Sequence, residues 1–401
     1  MKRSRRALVL LTLALLPAAC TGAAAGAPIL ANPTPVRPIS ASPTAPPAAI
    51  ADPLPVVLPR DDGPHDRLTE WWYYTGHLKA TDGTGYGFEF VVFRAERGRF
   101  PTSWVSHLAV TDETGDRFLY SQRLEVGPQV DGSPLGPDGK PVGFHLSLVG
   151  ADPSHPETFG RPAWTMAGMN GHDHLTATLA PDEAAAAHVP AGLGLDLVLT
   201  ATKPPALHGD DGWIDFGPAG GSYYYSRTSM TAAGSLTLDG KTLSVDGAAW
   251  FDHQWGDFIS VGGGGWDWFA VNLADGTDLT LSLVRDADGT YPLIYGTVVA
   301  ADGSVRHLAR DAFTVDVTGR WVSPATGADY PAGWTVKIPG DGLTIDLLPT
   351  VADQELDTRA TTGVVYWEGS QVVSATRSGA HVGGEGYVEL TGYAASATPI
   401  P

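Results

Sequence analysis

Glu70-Trp71-Trp72-Tyr73-Tyr74-Thr75-Gly76-His77-Leu78 carries aromatic side chains on both faces of an extended chain. With a side-chain period of two, Glu70, Trp72 and Tyr74 point one way, and Trp71, Tyr73, Thr75 and His77 the other. Two aromatic faces imply two covered faces, one lining a cavity and the other meeting a second barrel. The stretch has an echo in the second half. Setting Leu78 against Leu273 places Trp71-Trp72-Tyr73-Tyr74 over Trp266-Asp267-Trp268-Phe269, and an Asp-Gly turn and an alternating strand ending in Arg94 or Arg285 follow in each half. Asp-Gly pairs, from Asp82-Gly83 to Asp341-Gly342, supply the positive φ of tight hairpins. Phe88 to Phe93 and Leu279 to Leu283 alternate as half-buried strands do. Only Asp182 to His188 hints at a helical turn. The chain therefore reads as all-β, with two related antiparallel barrels over 60–259 and 260–396, joined near the Gly262–Gly265 run.

The 401 residues hold 44 Asp and Glu against 25 Lys and Arg, a balance that offers no footprint for nucleic acid or an anionic lipid surface. Residues 1–20 read as an export signal: Lys2, Arg3, Arg5 and Arg6 precede an apolar run, Ala7 to Leu16, too short to span a bilayer. Ser4-Arg5-Arg6 also fits a twin-arginine pattern, which leaves the export route open. Cys20, the only cysteine, follows Leu16-Pro17-Ala18-Ala19, which resembles a lipoprotein lipobox with proline in an aliphatic place. An exported, envelope-located protein anchored through Cys20 is expected, with a plain periplasmic or secreted form as the alternative. Residues 21–59, rich in Ala, Pro, Ser and Thr, read as a disordered tether. The anchor would be the chain's only membrane contact.

A second cluster, Ala249-Trp250-Phe251-Asp252-His253-Gln254-Trp255-Gly256, sits mid-chain. With Pro64-His65, Glu70-Trp71-Trp72-Tyr73, Tyr224-Tyr225-Ser226-Arg227-Thr228, Trp266-Asp267-Trp268-Phe269, Asp353-Gln354-Glu355-Leu356, Tyr366-Trp367-Glu368-Gly369 and Gly386 to Tyr393, it resembles the carotenoid 1,2-hydratase (hydroxyneurosporene synthase) family and its AttH-like relatives, often labelled predicted secreted hydrolases. The resemblance implies two lipocalin-like barrels packed together and acid-base hydration or isomerisation of an unsaturated, isoprenoid-like hydrophobic substrate. The export signal sets this chain apart from the carotenoid enzymes, and Gln254 stands where many relatives carry an acid.

Hydrating an alkene takes an acid able to protonate carbon, shielding for the resulting cation, and a base or positioned water. A carboxyl buried among aromatics keeps its proton, and aromatic faces stabilise a cation. Asp252 is the first candidate acid and His253 the base or orienting partner. Glu70 and Asp267 are further carboxylate candidates, Glu70 alternatively pairing with an arginine such as Arg227. Trp71, Trp72, Tyr73 and Tyr224, with Trp250, Trp255, Trp266 and Trp268, are expected to bind the ligand, Trp255 presenting the cation-stabilising face. In a regular strand Asp252 and His253 point apart, so they share a pocket only across a bulge or if the strand lies between domains. Otherwise each is a structural polar group, and the alternative function is a lipid-binding or carrier protein without catalysis.

A serine hydrolase is not favoured, because no Gly-x-Ser-x-Gly elbow occurs. His172-Asp173-His174 reads as a solvated loop, and no metal or cofactor is expected.

Overall fold

The computed structural model describes residues 52–152, 154–258 and 263–394. The export signal, Cys20 and most of the expected tether lie outside the described residues. The last part of that tether does not behave as one. Asp52 pairs with Arg67 at 2.8 Å and accepts the Tyr223 hydroxyl at 2.6 Å, while Val56 and Leu58 pack against the core. A proline-rich segment with few charges can still dock where it offers a carboxylate and two aliphatic side chains.

Two large curled antiparallel sheets, with a small two-stranded one of Arg320–Val322 and Asp329–Pro331, make up the described molecule. The first contains twelve strands from Thr69–Ala80 to Lys241–Gly256, and the second ten strands from Gly263–Leu273 to Ala380–Thr391. In each, the first strand pairs with the last, so chain ends meet at the centre of the sheet. The outer strands of the first sheet, Arg117–Val126 and Phe144–Leu148, are joined by side chains: Arg123 donates to the Leu148 carbonyl at 2.7 Å and Glu125 accepts the Val149 N–H at 2.8 Å. The sheet is thus nearly a barrel, closed by a cation and a carboxylate rather than by ladder bonds. The alanine run forms a short helix, Pro181–Ala186, whose Glu183 is paired with the same Arg123. Of the Gly262–Gly265 run expected to join the barrels, Gly262 lies outside the described residues, and Gly263 to Gly265 open the first strand of the second sheet. Gly265 sits at φ +92 with the Thr391 carbonyl 2.3 Å from where a Cβ would stand, so only glycine fits.

Trp72, Phe88, Phe90, Trp104, Trp164 and Phe251 fill the first sheet's interior, and Phe269, Trp334, Val336, Leu347 and Trp367 the second's. A third cluster lies between the sheets. Tyr73, Val91, Trp250, Trp268, Ala270 and Tyr387 are buried there, with Trp71, Phe93 and Trp266 half-buried at its edge. Strands Thr69–Ala80 and Lys241–Gly256 therefore have two covered faces, as their sequences require. The repeat is structural as well: Trp71 and Tyr73 face the seam as Trp266 and Trp268 do, while Trp72 and Asp267 both turn inward.

Candidate functional site

Strands Thr69–Ala80 and Lys241–Gly256 run in unbroken register, Glu70 opposite Trp255, Trp72 opposite His253 and Tyr73 opposite Asp252. Without a bulge, Asp252 and His253 point to opposite faces. The expected acid–base pair is therefore divided between two sites.

Facing inward, Glu70 Oε1 lies 2.7 Å from His65 Nδ1 and 2.9 Å from His253 Nε2, and Oε2 accepts the His65 N–H at 2.9 Å. The His65 ring lies flat on Trp255 at 4.1 Å, and the His253 ring stacks on Trp72 at 4.7 Å. Burial alone would raise Glu70, but the His65 charge and hydrogen bonds from His253 and His65 outweigh it and bring the carboxyl down to about 2. Burial would lower His65, yet Glu70 and Asp61 raise it; in His253 burial prevails and lowers it. His253 Nδ1 has no hydrogen-bond partner among the described residues. Deeper in, Asp62 accepts from Tyr225 at 2.5 Å and from Arg227 at 2.7 Å. Arg227 thus belongs to Asp62 and not, as the sequence suggested, to Glu70.

The outward face meets the second sheet. Asp252 accepts from Trp250 Nε1 at 2.6 Å, from the Tyr224 hydroxyl at 2.6 Å and from Ser226, and Tyr224 in turn accepts Trp268 Nε1 at 3.1 Å. Burial outweighs these donors and pushes Asp252 up to about 6. Three glutamates share the seam. Glu368 accepts the Tyr73 hydroxyl at 2.7 Å, Glu89 accepts Tyr366 at 2.9 Å, and Glu389 accepts Trp266 Nε1 at 3.0 Å. Burial is the main cause that raises Glu89 to about 8 and Glu389 to about 7; Glu368 is raised well above the carboxylate range by burial and by its glutamate neighbours. One oxygen each of Glu89 and Glu368 has no partner among the described residues. Behind Glu89, Tyr366 bonds to His107 Nδ1 at 2.7 Å, an imidazole that burial lowers to about 3.

The sequence-derived candidates thus occupy three places. Glu70, His253, Trp72 and Trp255 gather inside the first sheet. Asp252, Tyr224, Trp71, Tyr73, Trp250, Trp266 and Trp268 gather at the seam, so Trp255 is not the wall that faces Asp252. Asp267 is in neither group: it turns into the second sheet, where it accepts from Tyr393 at 3.0 Å and lies 3.3 Å from Arg285, with burial raising it to about 6. His172-Asp173-His174 is strand, not loop, within His172–Thr178, and His174 pairs with Asp196 at 2.8 Å. Those histidines line an open groove of about 570 Å³ with Val142, Phe144, Met169 and Val198, which contains none of the aromatic candidates. Not singled out as site candidates in the sequence were His65, Glu89, Glu368 and Glu389, though all but Glu89 lie in the motifs that carry the resemblance. The signal for the three glutamates was a charge among apolar residues, as in Phe88-Glu89-Phe90-Val91 and Val388-Glu389-Leu390; His65, in Asp62-Gly63-Pro64-His65-Asp66, carried none.

A sequence family described as AttH-like matches residues 49–393. A protein assigned as AttH from Nitrosomonas europaea superposes with a TM-score of 0.70 at 28% identity, covering 87% of this chain and 100% of that one. Kievitone hydratase from Nectria haematococca shares the fold at a TM-score of 0.62 and 17% identity, over 84% of this chain and 93% of its own. Among curated proteins, the dehydratase asqC of Emericella nidulans is 28% identical over 153 residues, 36% of this chain. That match spans 42% of the fungal protein's length.

Proposed function

The chain belongs to the AttH-like family, and from that premise we propose that it is a hydratase- or dehydratase-type enzyme acting on an unsaturated hydrophobic substrate at the seam between its two sheets. A hydratase shares its fold, and a dehydratase matches part of its sequence. The observation that carries the reading is the pair Glu89 and Glu368. Both are wholly buried, both are raised, and each keeps one oxygen without a partner. Such carboxyls are neutral at pH 7 and free to donate.

In hydration, Glu368 gives its proton to one alkene carbon as the π pair forms the new C–H bond. Trp250, Trp268 and Tyr73 shield the cation on the neighbouring carbon. Water adds there, and its surplus proton returns to the glutamate, restoring the acid. Dehydration runs the same steps backward, the acid protonating the departing hydroxyl. Trp71, Phe93 and Trp266, only half-buried, mark the edge from which a hydrophobic substrate reaches the seam. Asp252, with both oxygens already accepting hydrogen bonds, acts in this scheme by orienting Tyr224 and Trp250. An isoprenoid-like substrate suits the aromatic walls, and export with anchoring at Cys20 completes the proposal.

The test incubates the full chain with a lipid extract of the producing organism and follows retained lipids and products by mass spectrometry. A product differing from its precursor by one water, made by the wild type and reduced roughly 10³-fold in Glu368→Gln while the ligand is still retained, supports the proposal. Retention of an unchanged lipid by both proteins would replace it with a carrier function.

A further inference from the structure

We propose that His65, Glu70 and His253 form a binding site for a divalent transition-metal ion of the zinc class inside the first sheet. Their ligating atoms, His65 Nδ1, Glu70 Oε1 and His253 Nε2, all lie within 4.8 Å of one another. Two imidazoles and one carboxylate are a ligand set suited to zinc, with a fourth position left for water. Both rings aim at the same carboxylate oxygen, at 2.7 and 2.9 Å, so the two imidazole nitrogens already gather around the third donor.

Each donor is held in place by a neighbour. Trp255 fixes the plane of His65, Trp72 that of His253, and the His65 N–H holds Glu70 Oε2, which turns Oε1 toward the two rings. His65 Nε2 lies 3.5 Å from Asp61 Oδ1, the carboxylate–imidazole arrangement that orients metal-binding histidines. Asp61 is itself fixed by the Val57 N–H at 2.7 Å and by Arg60. Bonds of about 2.0–2.2 Å in tetrahedral array separate donors by roughly 3.3 Å, so the two nitrogen–oxygen contacts would open by about half an ångström while the two nitrogens, within 4.8 Å of each other, settle at that spacing. An ion there would replace the protons through which the rings now reach Oε1. His65, whose side chain is 19% exposed, offers the route in, while Glu70 and His253 are fully enclosed. The site lies on the opposite face of the strands from the seam, so it stands or falls apart from the proposed hydration chemistry.

The experiment strips the full chain with chelator, then titrates it with Zn²⁺ by calorimetry and with Co²⁺ by visible absorption. One equivalent should bind, with a cobalt spectrum of a four- or five-coordinate nitrogen–oxygen site. His65→Gln, Glu70→Gln and His253→Gln should each weaken binding by roughly 100-fold or more, and His174→Gln, at an exposed ion pair, should leave it unchanged. His65→Gln, at the rim of the site, keeps the comparison usable if the buried variants unfold. Absence of stoichiometric binding by the wild type, binding that survives His65→Gln, or loss in His174→Gln would each overturn the proposal.

Discussion

Strands Thr69–Ala80 and Lys241–Gly256 carry opposite electrostatics on their two faces. Inward, Glu70 is fully buried yet held down to about 2; outward, Asp252 is equally enclosed yet pushed up to about 6, beside glutamates that rise further. Burial raises every one of them, so burial does not separate the faces. The partner does. Glu70 has a charged imidazole, a second imidazole and a backbone N–H, whereas the seam carboxyls have hydroxyls, indoles and one another. One pair of strands thereby holds a carboxyl well below its ordinary value on one side and one well above it on the other.

The largest expected effect comes from removing the anion. Glu70→Gln removes the nearer of the two carboxylates that face the His65 charge, leaving Asp61 at 3.5 Å, and should cost about 3 kcal/mol in urea unfolding. At pH 5, just above the ordinary 4.5 of the unfolded side chain, Glu89→Gln exchanges a neutral acid for a neutral amide of the same shape and should change stability by less than about 1 kcal/mol. Equal losses in the two variants would abolish the distinction between the faces.

Titration sharpens it next. The folded value of Glu70 lies below its ordinary 4.5, so its contribution is complete above that pH and is lost as the pH falls toward 2. Asp252, Glu389 and Glu89 have folded values above their ordinary ones, at about 6, 7 and 8. Between about pH 4 and 8 the folded chain therefore holds protons that the unfolded chain has released, and stability falls as the pH rises. Asp252 alone accounts for on the order of 3 kcal/mol of that decline. The urea midpoint should peak near pH 4–5, with Glu89→Gln flattening the upper limb and Glu70→Gln the lower. A midpoint constant from pH 5 to 8 would mean that the seam acids are ionised.

Much of this arrangement was legible in the sequence because strands have a fixed period. Alternation in Glu70 to Leu78, and its repeat at Trp266 to Phe269, indicated two sheets and two covered faces without any contact being known. The same period warned that Asp252 and His253 diverge, and the unbroken register makes the divergence real. Partner choice was not legible. Glu70 meets His65 five residues away through a turn and His253 across the ladder, while Glu89 and Glu368 meet through the packing of two sheets, which no local pattern encodes. Asp52 shows the same limit from the other side: composition marked its segment as a tether, but Arg67 and Tyr223 hold its carboxylate while Val56 and Leu58 pack on the core.

Two tyrosines give the finest test, since each loses only an oxygen. Tyr225 donates to Asp62, which also receives Arg227 and a backbone N–H from Asn170. A hydrogen bond to a charged acceptor is worth about 1.5–3 kcal/mol, and Tyr225→Phe should cost that much. Tyr73 donates to Glu368, an acid whose raised value keeps it neutral, so Tyr73→Phe removes a neutral pair and should cost about 1 kcal/mol. The second substitution should also push Glu368 higher still, because the lost donor favoured the anion; its cost should stay constant while Glu368 holds its proton and grow only at a pH high enough to ionise it. If Tyr73→Phe proved the costlier of the two at pH 7, Glu368 would have to be an anion held by its tyrosine, and the seam would resemble the interior after all.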